Sequence, residues 1–299
     1  MSKKGPFKDL IIRTAVVLSP RYGIIYACDP ALERRGEPHA CVFVWDDGSI
    51  DRGDCNYDAH SACLIDLPEE GSVDISEAGY YTADTENDRV TQDLFDSYTP
   101  AAREKRARGL RSVREIGGVA HAIGIRGMVY RLDALDRWTR IDEGLPHDFD
   151  GQAIHGTGLS DLHAVGFRGD AWHFDGKVWR RQDLPTNRNL TSVVCAADGT
   201  VYVAGHDGIL LRGRPGQWES IEHGDTDENI WDLEWFAGQL FVSTLDGLFS
   251  LQGDHLKPVA YGKHTPKSTY QLSTKEGVMW SNGESDIMEF DGKTWTRIV

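Results

Sequence analysis

The chain has 299 residues, with 32 Lys and Arg against 47 Asp and Glu, for a formal net charge of −15. That balance argues against nucleic acid, whose phosphates require a basic footprint, and favours a basic protein partner, a cation or solubility alone. No stretch of eighteen apolar residues occurs, which excludes a transmembrane helix.

The N-terminal MSKKGPFK is basic, but the apolar run after it is broken by Arg13 and lacks a small-residue cleavage site, so a first strand is expected rather than a signal peptide. LIIRTAVVLS, GIIYACD, ACVFVWDDGS and ACLIDL read as four strands of one sheet with a long insert. DISEAGYYTAD and RVTQDLFDSY read as the middle of a second sheet. Arg103, Lys105, Arg106, Arg108, Arg111 and Arg114 then form a basic run. With the acidic balance elsewhere, it is expected to be a solvated loop or short helix pairing with carboxylates; a nucleic-acid or lipid arm is the alternative.

From residue 106 onward a unit repeats. Trp138, Trp179, Trp218 and Trp295 each stand in a short terminal strand, about forty residues apart, with Leu256 in the Trp place of the unit between the last two. Each unit carries four short β-branched or aromatic runs bounded by Gly, Asp or Asn, too short for a helical period. A four-strand unit of this length is a β-propeller blade. The expected fold is therefore all-β, a seven-bladed propeller forming one domain over residues 1–299, with two irregular blades in about 1–105 and five regular ones in 106–299. Six or eight blades are the alternatives. The repeated Trp residues are expected on outer strands against neighbouring blades. Gly124, Gly166 and Gly205 follow the second strand, and Gly127, Gly169, Gly208 and Gly247 come three residues later, where tight hairpins need positive backbone angles. Cys28, Cys41, Cys55, Cys63 and Cys195 match no zinc spacing and suggest free thiols in a reducing cytoplasm, or disulfides in the first blade.

FDGKVW (Phe174–Trp179) and FDGKTW (Phe290–Trp295) join third strand to fourth. These turns resemble those of bacterial propellers related to the Asp-box and photosystem-assembly-factor families, over about residues 110–299. Asp and Gly are adjacent here and the Ser of a strict Asp-box is missing, so the resemblance implies a fold and carries over no sialidase chemistry.

Loops from a fourth strand into the next blade share a face with the turns between second and third strands. That face is expected to be acidic, with Glu69, Glu70, Asp74, Asp84, Glu86 and Asp88 early in the chain, and Asp148, Asp150, Asp207, Asp225, Asp227, Glu228, Asp232 and Asp246 as candidate partner-binding residues. Arg126, Arg168, Arg188, Lys263 and Lys267 form its basic sector; Arg168 is also placed in the binding set. Candidate aromatic anchors are Phe149, Phe167, Trp231 and Tyr270, with Trp231 first and Phe167 second. His121 and His163 share a repeat position with Tyr202, Phe241 and Met279, which marks packing. His155, His206 and His264 are nearer the loops and are the better acid–base or metal candidates. No G-x-S-x-G, H-E-x-x-H, P-loop or EF-hand loop occurs, so no catalytic residue, metal or cofactor is assigned.

Two functions compete: a rigid protein-binding cup, and a propeller enzyme, hydrolase or lyase, with its site at the channel mouth. The chain resembles the short, signal-less, acidic bacterial propellers that serve as immunity proteins for secreted toxins. That resemblance implies a cytoplasmic, non-enzymatic protein that neutralises a basic toxin domain by covering its active site.

Overall fold

The computed structural model describes residues 7–96 and 109–299. Its strands form seven four-stranded antiparallel sheets, each from one contiguous segment: blades 1 to 7 span residues 11–55, 59–93, 110–140, 151–182, 190–220, 232–258 and 271–297. The innermost strands are Ile11–Ser19, Ala59–Ile65, Leu110–Ile116, Gly151–Gly158, Leu190–Cys195, Asp232–Phe236 and Gln271–Lys275, and they touch in ring order, the last against the first. The expected seven-bladed propeller is the observed fold.

Among the described residues no strand is exchanged at the closure. Blade 7 instead packs on blade 1 through Val278, Trp280, Ile287 and Ile298 against Ile12, Val17, Ile25 and Phe43. The Trp280 indole donates to Glu289 Oε2 at 2.9 Å, and the same oxygen accepts the Arg21 amide at 2.7 Å. A Cβ on Gly23 would lie 2.4 Å from the Trp280 ring, so only glycine lets the blades close here.

The first two blades depart from expectation by one strand. ACLIDL does not close blade 1; it belongs to the inner strand of blade 2, Ala59–Ile65. The outer strand of blade 1 is Ser49–Cys55, SIDRGDC, which is largely exposed and so lacks the apolar signal that marks a buried strand. The insert is the loop holding a short helix, Pro30–Arg34, capped by the Asp29 carboxylate on the Ala31 amide at 2.7 Å. This shift moves acidic residues to the other face. Glu69 and Glu70 lie in the turn between first and second strands of blade 2, and Glu86 and Asp88 lie between its third and fourth. Asp74 is buried in the second strand and accepts from the Tyr57 hydroxyl at 2.5 Å. Of the basic run, Arg103, Lys105, Arg106 and Arg108 fall outside the described residues, whereas Arg111 and Arg114 stand on the inner strand of blade 3. All five cysteines are free.

The repeated Trp residues occupy outer strands and lean on the preceding blade. Trp179 is buried against Ile116, Ile123 and Val129 of blade 3, and its indole donates to Ile141 O at 2.7 Å. Trp138 meets Tyr81 of blade 2 edge-on at 5.6 Å. Trp218 packs with Ala153 and Val165 of blade 4. Trp295 contacts Tyr261, which follows blade 6, at 4.6 Å. Leu256 fills the Trp place in blade 6 and is buried among blade 5 residues. Replacing Trp179 by Ala should destabilise the protein by about 3–5 kcal/mol in denaturant unfolding, because a large cavity opens between two blades.

His121 and His163 are buried, as packing residues. Burial pushes the His121 pKa down from 6.5 to about 4, and its Nε2 finds no partner among the described residues. A histidine held neutral in the fold costs stability as pH falls from 6.5 to about 4, because only the unfolded chain takes up the proton in that window. His121→Met, the residue of blade 7 at this position, should recover about 2 kcal/mol at pH 5 relative to pH 7.5 in urea unfolding.

Candidate functional site

The loop face is stitched together by backbone. In blades 3, 4 and 5 the turn after the second strand reads IGIRG, VGFRG and AGHDG, and its last two residues are left-handed, as at Asp207 and Gly208 with φ of 54° and 67°. The first glycine serves a different purpose from that expected. Gly205 is extended, with φ of −174°, and a Cβ there would lie 2.0 Å from Asn189 O. Gly124 and Gly166 face Gly109 O and Asp150 O in the same way. Each of these carbonyls accepts the next amide, from Ile125, Phe167 or His206, at 2.8, 3.2 and 2.9 Å. Gly208 N in turn donates to Glu228 O in the following inter-blade loop at 2.9 Å. Gly247 has no positive φ; Thr244 Oγ1 accepts its amide instead, at 3.2 Å.

This backbone presents a chain of rings. Phe167 lies 6.5 Å from His206, His206 lies 5.9 Å from Trp231, and Trp231 lies 5.6 Å from Tyr270. The four rings span blades 4 to 7. Phe167, His206 and Trp231 are half-buried, and Tyr270 is 41% exposed beside the turn carrying Leu245, 44% exposed. The crescent borders the mouth of the central channel, a cavity of about 420 Å³ lined from all seven blades.

The opposite side of the mouth is cationic, with Arg13, Arg111 and Arg114. Each is paired: Arg13 with Glu33, Arg111 with Glu77 at 2.9 Å, and Arg114 with Asp232 at 2.6 Å. The last pair crosses the channel from blade 3 to blade 6, with side chains 21% and 7% exposed. Asp232 also accepts from Ser192 Oγ and from the Leu272 amide, both at 3.0 Å. Burial opposes the Arg114 charge, but Asp232 and Glu234 more than offset it and raise its pKa. Glu234, 3.8 Å from Arg114, is pushed up to about 7 by burial and further by Asp232, against Arg114.

The proposed binding residues divide accordingly. Asp148, Arg168, Asp207, Asp227, Glu228 and Asp246 are exposed on the loop face. Asp150 is half-buried there, its carbonyl holding Phe167. Asp225 is exposed as well, and its carboxylate accepts the Leu256 amide at 2.7 Å, tying it to the outer strand of blade 6. Asp232 is in the channel. Phe149 is fully buried in the core and is no anchor, because the inter-blade loop turns inward there. His155, His206 and His264 are not brought together. His155 sits on the inner strand of blade 4, accepting the Cys195 amide at 3.2 Å, and His206 lies between rings. The basic run was expected to be a solvated loop or short helix pairing with carboxylates; its Arg111 and Arg114 stand instead on the inner strand of blade 3, each paired with a carboxylate as expected.

Removing Asp232 leaves Arg114 buried without its carboxylate. Asp232→Ala should cost about 3–5 kcal/mol in denaturant unfolding, while the double variant Arg114→Met, Asp232→Leu should recover most of that loss.

No protein-family model matches the chain. Two solved structures share its architecture: a virginiamycin B lyase from Staphylococcus aureus, at 12% identity and TM-score 0.70 over 94% of each chain, and YCF48 bound to a D1 peptide, at 13% identity and TM-score 0.68 over 93% of this chain and 90% of that one. At such identities they show the fold alone. The immune protein Tsi7 of Pseudomonas aeruginosa is 34% identical over 296 residues, covering 95% of this chain and 96% of its own length. On that identity across nearly the whole of both proteins, the chain belongs to the family of the immune protein Tsi7.

Proposed function

We propose that this protein is a cytoplasmic immunity protein, a single non-enzymatic propeller domain that captures a cognate toxin domain on its loop face and covers the toxin's active site. The observation that carries this reading is the crescent of Phe167, His206, Trp231 and Tyr270 beside a rim of exposed charge. A desolvated aromatic centre inside a polar rim is the anatomy of a protein interface, and Trp and Tyr dominate interface energetics. Kinship with an immune protein over 95% of the chain supports the same class of partner. The ionisable groups at the channel mouth speak against catalysis there, since Arg13, Arg111 and Arg114 are each held by a carboxylate and His206 packs against rings.

The acidic rim suits a basic toxin domain. Asp148, Asp207, Asp227, Glu228 and Asp246 would steer such a partner, so association should slow as salt rises. The test is binding to the product of the adjacent gene at two salt concentrations. Asp227→Asn with Glu228→Gln should lower the on-rate, whereas Trp231→Ala should speed dissociation and cost about 2 kcal/mol or more. Binding insensitive to salt and to both sets of variants would sink the proposal, as would a footprint on the opposite face around Asp175 and Asp291. Turnover of an ester, phosphoester or glycoside, abolished by His206→Ala, would make the protein an enzyme instead.

A further inference from the structure

On the opposite face of blade 4, histidines stand in a cross-strand row. His155, His163 and His173 are directly opposed on three adjacent strands. The His163 and His173 rings stack at 4.9 Å, and both Nε2 atoms aim at one oxygen, Asp161 Oδ1, at 3.6 and 2.8 Å. One ligand atom from each of Asp161, His163 and His173 falls within a 4.8 Å cluster. We propose that Asp161, His163 and His173 form a binding site for a divalent zinc-type cation, independent of the partner face.

Donor atoms around a tetrahedral Zn²⁺ lie about 3.3 Å apart, given metal–ligand distances near 2.0–2.1 Å. The two Asp161–His edges, 2.8 and 3.6 Å, bracket that value, and all three ligand atoms lie within 4.8 Å, so the side chains need only close inward to take up an ion. Two imidazoles and a carboxylate suit zinc and its first-row neighbours, and leave a position for water. Thr157 Oγ1 donates to Asp161 Oδ2, fixing the carboxylate as a supporting partner should. Asp161 is 40% exposed and offers an entry path.

The experiment is calorimetric titration of the untagged, chelator-treated full chain with ZnCl₂, and visible absorption with CoCl₂. One equivalent per chain is expected, with an intense d–d band at low coordination number and a higher melting temperature with metal. His173→Gln and Asp161→Asn, both at partly exposed positions, should each weaken binding at least tenfold and abolish the melting shift, with unchanged circular dichroism. His264→Ala, away from the cluster, should change nothing. Absence of saturable binding would overturn the site and identify the row as a hydrogen-bonded ladder only. Binding unaffected by His173→Gln, or equally weakened by His264→Ala, would assign the metal to other surface histidines and overturn it too.

Discussion

Seven sheets packed around an axis leave a hole that their inner strands must occupy with something other than bulk apolar side chains. Here the hole is braced by charge. Arg114 reaches from blade 3 to Asp232 at the start of blade 6, and that carboxylate also holds Ser192 of blade 5 and the Leu272 amide of blade 7. Four blades thus converge on one side chain. Trp231 immediately precedes Asp232, and Tyr270 lies two residues before Leu272, so the half of the aromatic crescent nearest the axis inherits its position from this brace. Such a pair is weak evidence for net stability, since its desolvation is costly, but it ties together blades 3, 5, 6 and 7 across the axis, where packing and backbone bonds join only neighbours.

The absence of an exchanged strand at the closure, among the described residues, makes that tie matter more. Blades 7 and 1 are joined by Trp280, Glu289 and the amide of Ile12 bonded to Glu284 O at 2.8 Å. Buried ionisable groups around the ring set opposing pH trends. His121, His155 and His163 are lowered to about 4, 3 and 4, and each favours the folded state as pH rises toward 6.5. Asp74 and Glu234 are raised to about 6 and 7, chiefly by burial. In the folded state they hold protons that the unfolded chain has released, so they reduce stability as pH rises across much of the same window. His60 is lowered by burial as well, so it too favours the folded state as pH rises toward 6.5.

The sequence made the fold legible where an outer strand carried Trp, because that residue marks both the end of a blade and its contact with the preceding one. It failed in blade 1, whose outer strand SIDRGDC is solvated and has no apolar period to read. That single missing strand shifted the frame and placed Glu69, Glu70, Glu86 and Asp88 on the wrong face. The loop-face rings were legible as aromatics at loop positions, yet Phe149 shows that the position alone does not separate a core ring from a half-exposed one. The channel ion pair was not legible at all, since its partners are separated by 118 residues and nothing local couples them.

The loop-face side chains and the scaffold are written at different places in the repeat. Gly124, Gly166 and Gly205 cannot carry a side chain, because a neighbouring carbonyl occupies the space. The residue after each one is Ile125, Phe167 or His206, and Leu245 holds the same place after Thr244 in blade 6. Its amide or turn is fixed, while its side chain enters the crescent at Phe167 and His206, packs on the core at Ile125 and is exposed at Leu245. Substitution at this one repeat position therefore changes what the face presents without altering the hydrogen bonds that shape it. A propeller built in this way can vary its loop face through a handful of side chains, each in a different blade, while the ion pair at Asp232 holds blades 3, 5, 6 and 7 together beneath them.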